Sequence, residues 1–220
     1  MGIETLNPKC SEDVAAVAAL HRIYLSASPV ARLGDRFMRE FYYTRLVEDR
    51  LFRCLICRVD GQVVGFISYT EDALGFMSRG LKKHFFLLCS VMLRSLFERP
   101  TLVSSLILVL RAMMERGKAA RESEAPRLGE AMSMAVLPGF ENYVASGGTS
   151  RLAVRLFLTA AEELRRSGAN RVQLMVQPSN LAANLFYSAL GCSFEKIEHA
   201  GMVIHRYIYH LQPAEKEASS

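Results

Sequence analysis

From residue 130 onward this 220-residue chain alternates two kinds of apolar pattern, and that alternation restricts its fold more than any other feature. Residues 130–137 (EAMSMAVL) have strand character, and after a glycine-containing loop residues 150–166 space their apolar positions as a helix does. Residues 171–177 read again as strand and 181–190 as a short helix, with two final strands expected near 194–198 and 203–211. Strand, helix, strand, helix in succession implies a layered α/β sheet with local parallel pairing.

The first half has a different pattern. Residues 11–24 (SEDVAAVAALHRIY) read as a helix capped by Ser11, with two acids in the first turn and Val14, Val17, Ala18 and His21 on one stripe. Pro29 interrupts, and residues 35–48 (DRFMREFYYTRLVE) resume the helix with Phe37 and Phe41 facing inward. Two apolar runs, 51–59 and 62–70, flank Asp60-Gly61, a strong hairpin signal. Half the residues are apolar and 22% are charged, a globular composition. One domain is expected over residues 1–212, with a disordered tail at 213–220.

No basic stretch followed by an apolar run opens the chain, and the five cysteines are an odd count lying mostly in apolar runs. A reducing, cytoplasmic setting is therefore expected. Cys54 and Cys57 form a CxxC inside a strand-like run without a second ligand pair, so no metal is expected. The formal charge of +5 is uneven: residues 79–121 hold nine Lys/Arg and two Glu.

The order and wording of residues 128–198, above all RVQLMVQPSNLAANLFYSALGCSF with Asn180, Ala183, Tyr187 and Gly191 in an N-x-x-A-x-x-x-Y-x-x-x-G run, resemble the acyl-CoA-binding core of the GNAT N-acetyltransferase superfamily. The stretch LGDRFMREFYY resembles a subgroup linked to sugar and surface-polysaccharide pathways. The resemblance implies a mixed twisted sheet flanked by helices, here with a helical insertion at about 75–126. It implies acetyl-CoA, or another acyl-CoA, as co-substrate and transfer to a primary amine of a small molecule such as an amino sugar.

Amine acylation has a protonation problem, since an ammonium titrating near about 10.4 leaves only about one molecule in a thousand nucleophilic at neutral pH. Glu130, where many GNAT enzymes carry an acid, is the candidate base. The leaving thiolate departs more easily if protonated, and Tyr187 occupies the family's donor position. Asn180 would cap the short helix, and it and Ala183 would meet the pantetheine arm. Backbone groups of Met134, Ala135 and Val136 would pair with the pantetheine amides and stabilise the oxyanion. The pyrophosphate would lie at the helix start behind Gly147, Gly148, Thr149 and Ser150. That loop departs from the family pattern, with Val144 and Ala145 where Arg and Gly are usual.

Residues 75–126 carry apolar runs of about ten residues each, too short to span a bilayer, which takes about 20. They read as a helical hairpin on the core or a dimer face, as a lid over an acceptor pocket, or as a basic amphipathic surface that meets anionic lipid. Basic residues interleaved with Leu, Phe and Met do not suit nucleic acid. Two other functions stay open: a long-chain acyltransferase whose insert lines an acyl channel, and a non-catalytic acyl-CoA-binding or interaction module.

Overall fold

The computed structural model describes residues 2–73, 75–98, 128–140, 142–144, 150–199 and 201–212. Seven strands form one mixed sheet in the order β1-β2-β3-β4-β5-β7-β6. They are β1 (Gly2–Thr5), β2 (Arg53–Val59), β3 (Gln62–Thr70), β4 (Leu128–Val136), β5 (Arg171–Val176), β6 (Ser193–His199) and β7 (Met202–His210). Among the described residues, only β4 and β5 pair in parallel. On one face lie α1 (Ser11–Tyr24), α2 (Pro29–Arg32), α3 (Phe37–Leu46), α4 (Phe76–Lys83) and α5 (Phe85–Glu98); on the other lie α6 (Leu152–Arg166) and α7 (Leu181–Ala189).

The hairpin forms where Asp60-Gly61 predicts it. Both turn residues have positive φ, 49° and 82°, as a turn matching the strand twist requires. Helix α1 has the expected span and buries Val14, Val17, Ala18 and His21. Its N-cap is Cys10 without a side-chain bond, and Ser11 is already helical. Pro29 does not merely interrupt. It starts α2, where its missing N–H costs nothing, and Ser28 Oγ caps the turn by accepting from Ala31 N at 3.1 Å.

Three features lay beyond the sequence patterns. Strand β1 is four residues long and owes its form to pairing with β2. Helix α3 is a π-helix. Its buried residues, Phe37, Met38, Phe41, Tyr42, Tyr43 and Leu46, recur at four to five positions, and the wider turn with i→i+5 bonds turns them all inward. The helical insertion expected at about 75–126 is broken at His84 into α4 and α5. Asp49 holds the break, accepting from Lys83 Nζ at 2.7 Å and contacting His84 Nε2 at 2.6 Å. Burial pushes the Asp49 carboxyl up, but these two bonds outweigh it and hold it below the usual range. The rest of the expected insertion, residues 99–126, and the tail at 213–220 lie outside the described residues.

Cys54 and Cys57 are both fully buried, but three residues apart on a strand they face opposite sides of the sheet and join different core clusters. Burial raises both thiols above their ordinary pKa, so neither is a ready thiolate or ligand. Among the described residues no group of three or more His, Cys, Asp or Glu could hold a metal. No helix among them is long and apolar enough to cross a membrane.

Candidate active site

Among the described residues, strands β4 and β5 run side by side for three pairs: Leu128 with Arg171, Gly129 with Val172 and Glu130 with Gln173. Beyond Glu130, β4 continues to Val136 bonded to β3 alone, and β5 continues to Val176 bonded to β7 alone. The two strands therefore part, and a wedge opens in the middle of the sheet. A bulge contributes to it. Ser133 faces Ser68 and Ala131 faces Tyr69, which leaves Met132 as the extra residue on β4 and bends the strand there.

The wedge exposes backbone groups in a known alternation. Leu137 N donates to Val64 O at 2.7 Å, so residue 137, and with it Ala135, turns its amide toward β3. Met134 and Val136 turn theirs the other way, into the wedge. Of the three strand residues expected to meet the cofactor, Met134 and Val136 present amides to the gap, while Ala135 spends its backbone on the sheet and buries its methyl.

Glu130 sits at the apex, 3% exposed, accepting from Gln173 Nε2 at 3.1 Å. Gln173 lies between Val172 and Leu174, which face α6 and α7, so the Glu130–Gln173 pair faces the α1/α3 side. Ser68 and Thr70 are buried on the same face, and the Tyr42 hydroxyl contacts Met132 Sδ at 3.9 Å nearby. Thr70, the cross-strand neighbour of Glu130, also lines an open cavity of about 250 Å³ with Arg53, Tyr69, Asp72 and Arg79.

Tyr187 approaches from the opposite side. It is 7% exposed and packs among Phe157 of α6, Phe186 and Tyr207 of β7, with ring centroids 5.9, 5.1 and 5.8 Å away. Burial raises its phenol above the ordinary value of 10, because the phenolate would lose its water. The group is thus fully protonated at neutral pH. Cys192, which follows the same helix, has its thiol pushed up to about 11 by burial.

Asn180 caps α7, its Oδ1 accepting from Ala183 N at 3.1 Å, so the Ala183 amide is already engaged. Asn184, which sequence reasoning missed, ties this corner together. Its Nδ2 donates to Asn180 O at 2.6 Å and Gln177 O at 3.1 Å, and its Oδ1 accepts from the Tyr207 hydroxyl at 3.0 Å. Its Oδ1 also lies 2.7 Å from His205 Nδ1. Helical spacing alone could have shown that Asn184 and Tyr187 share a face; it could not show the β7 partners.

Helix α6 begins two residues later than expected. Arg151 is the N-cap, Ser150 lies in the bend before it, and Leu152 N donates to Tyr143 O at 3.0 Å. The start has no side-chain cap and no acid in its first turn. Gly147, Gly148 and Thr149 lie outside the described residues.

This architecture matches solved acetyltransferases from end to end. A polyamine N-acetyltransferase of Drosophila melanogaster, described as catalysing the formation of N-acetylagmatine, superposes with a TM-score of 0.57 at 14% identity, over 96% of this chain and 99% of that one. An N-acetyltransferase from Staphylococcus aureus Mu50 gives 0.54 at 16% identity, over 95% and 100%. The NatC complex bound to a Gag peptide and CoA gives 0.51 at 12% identity, over 96% and 98%. No family model and no curated protein sequence matches the chain. The fold is that of the GNAT N-acetyltransferases.

Proposed function

We propose that this protein is an acyl-CoA-dependent N-acyltransferase that moves an acetyl group from acetyl-CoA to the primary amine of a small molecule, such as an amino sugar. The observation that supports the reading is the parting of β4 and β5 just beyond the buried Glu130–Gln173 pair, with Tyr187 proposed to reach the thioester from the α6/α7 side. In direct transfer the amine would arrive from the Glu130 side, the thioester would lie in the wedge, and Tyr187 would meet the departing thiol.

The pantetheine arm would add to the free edge of β4 through the amides of Met134 and Val136, as a peptide adds to a sheet edge. The pyrophosphate would lie at the start of α6. The lack of a side-chain cap, the helix dipole and the absence of an acid in the first turn suit an anion, and Arg151 stands at the same place. Gly147, Gly148, Thr149 and Ser150 are the loop proposed to complete that contact.

Glu130 accepts the ammonium proton, directly or through water, and Gln173 fixes the direction of its carboxylate. The freed amine attacks the thioester carbonyl. Oxyanion charge falls on the β4 amides, and Tyr187 hands its proton toward the departing sulfur. Because burial raises the phenol, it acts by hydrogen-bonding the sulfur as the bond breaks and not by ionising beforehand.

The Drosophila enzyme's acceptor, as its description gives it, is a small amine. The test is calorimetry with CoA followed by a thiol-release assay over an amine panel, comparing acetyl-CoA with palmitoyl-CoA. Binding and turnover with acetyl-CoA support the reading. Preference for palmitoyl-CoA makes it a long-chain enzyme, and binding without turnover makes it a sensor. Tyr187→Phe should lower kcat by about 100-fold while CoA affinity stays within about twofold; an unchanged kcat removes Tyr187 from the mechanism.

A further inference from the structure

Helix α5 is apolar on two opposite sides. Val91 and Met92 are buried against α3, with Leu87 and Leu88 packed beside them. At about 100° per residue, Phe85, Cys89, Leu93 and Phe86 fall within an arc of about 100° on the other side. Phe86 is 86% exposed, and Phe85 and Leu93 are each 57% exposed. A helix that is apolar all round belongs in an apolar surrounding, and among the described residues this one has it on one side only.

The exposed charge beside the stripe is positive. Residues 76–98 contain four Lys/Arg and one acid, Glu98, at the far end of α5. Lys82 and Arg94 are exposed, one just before the stripe and one beside its far end, while Arg79 and Lys83 are paired to Asp72 and Asp49 on the body of the protein. Ring-bearing side chains flanked by cations suit the boundary between headgroups and acyl chains of an anionic bilayer: the rings enter the apolar layer and the cations meet lipid phosphates. The short length of α5, 14 residues, allows it to lie on that surface but not to cross it.

We infer that the α4–α5 insert docks this protein on anionic membrane surfaces, with Phe85, Phe86 and Leu93 entering the interface and Lys82 and Arg94 contacting lipid headgroups. The charge selects anionic over zwitterionic lipid, and the apolar stripe retains part of the binding when salt screens the charge.

The test is co-sedimentation of the full chain with phosphatidylcholine vesicles, with and without about a quarter phosphatidylglycerol, at about 0.1 and about 0.5 M salt. Partition onto the anionic vesicles is expected to exceed that onto neutral ones by about tenfold and to fall, without vanishing, at high salt. Phe85→Ser with Phe86→Ser, and separately Lys82→Glu with Arg94→Glu, should each reduce it about fivefold or more with unchanged melting temperature. The chain has no tryptophan, so Phe86→Trp gives a single reporter. Its emission should shift to the blue on anionic vesicles and be quenched by brominated lipid. Equal binding to neutral vesicles, no binding, or a Phe86→Trp emission unmoved by vesicles overturns the inference. So does a dimer in light scattering that the double serine variant converts to monomer, because the stripe would then be covered by a second copy.

Discussion

Mild acid should destabilise this protein through one residue of α1. His21 is fully buried, with Nδ1 2.6 Å from the Tyr43 hydroxyl and Nε2 2.7 Å from Ser28 Oγ, and its ring stacks on Phe66 with centroids 6.0 Å apart. Burial lowers its pKa from 6.5 to about 4, since no carboxylate among these contacts compensates an imidazolium. The unfolded chain therefore binds the proton more readily than the folded one throughout that window. Stability from this residue is complete above about pH 6.5 and is lost as pH falls toward about 4. At about 1.4 kcal/mol per pH unit, the loss is about 2 kcal/mol by about pH 5 and about 3 kcal/mol in full. Carboxylates such as Asp49 add their own acid sensitivity, so the measurement is a comparison. Urea unfolding followed by circular dichroism at about pH 7.5, 6 and 5 is run on the wild type and on His21→Gln. The variant starts less stable, having lost two buried hydrogen bonds, but should lose about 2 kcal/mol less than the wild type between the first and last pH. Parallel curves would refute the argument, showing that His21 carries its proton in the folded state or that the region opens locally.

Glu130→Gln keeps the contact with Gln173 but cannot take a proton, so turnover at neutral pH should fall by about 100-fold and rise with pH as the amine deprotonates unaided; a flat pH–rate profile at wild-type turnover excludes Glu130 as the base. Gly80 lets α4 lie against α3, and a Cβ there would come within 2.2 Å of Leu46 Cδ2. Gly80→Ala should cost about 1–3 kcal/mol, read as a lowered urea midpoint. Asn180→Ala removes the cap of α7 and should cost about 1 kcal/mol, seen as a lower melting temperature.

The sequence by itself determined whatever depends on neighbours along the chain. Asp60-Gly61 specifies its hairpin because both residues tolerate positive φ, and the apolar spacing of α1 and α6 specifies which faces are buried. The N-x-x-A-x-x-x-Y run places Asn180 at a cap and Tyr187 on the inner face of α7 for the same local reason. It did not show that Pro29 would open a helix, that residues 37–46 would adopt the wider π-turn, or that Asp49 would break the helix at His84, since each depends on what packs across from it.

Tertiary structure alone decided the site. The wedge opens where β4 and β5 keep only their other neighbours, β3 and β7, and close to the register shift that leaves Met132 as the extra residue. That parting frees the amides of Met134 and Val136 and places Glu130 at its apex, while the packing of α7 on α6 and β7 puts Tyr187 on the opposite face. Strand pairing joins residues more than 40 positions apart, as Glu130 with Gln173, and no local preference encodes which partner a strand end will keep.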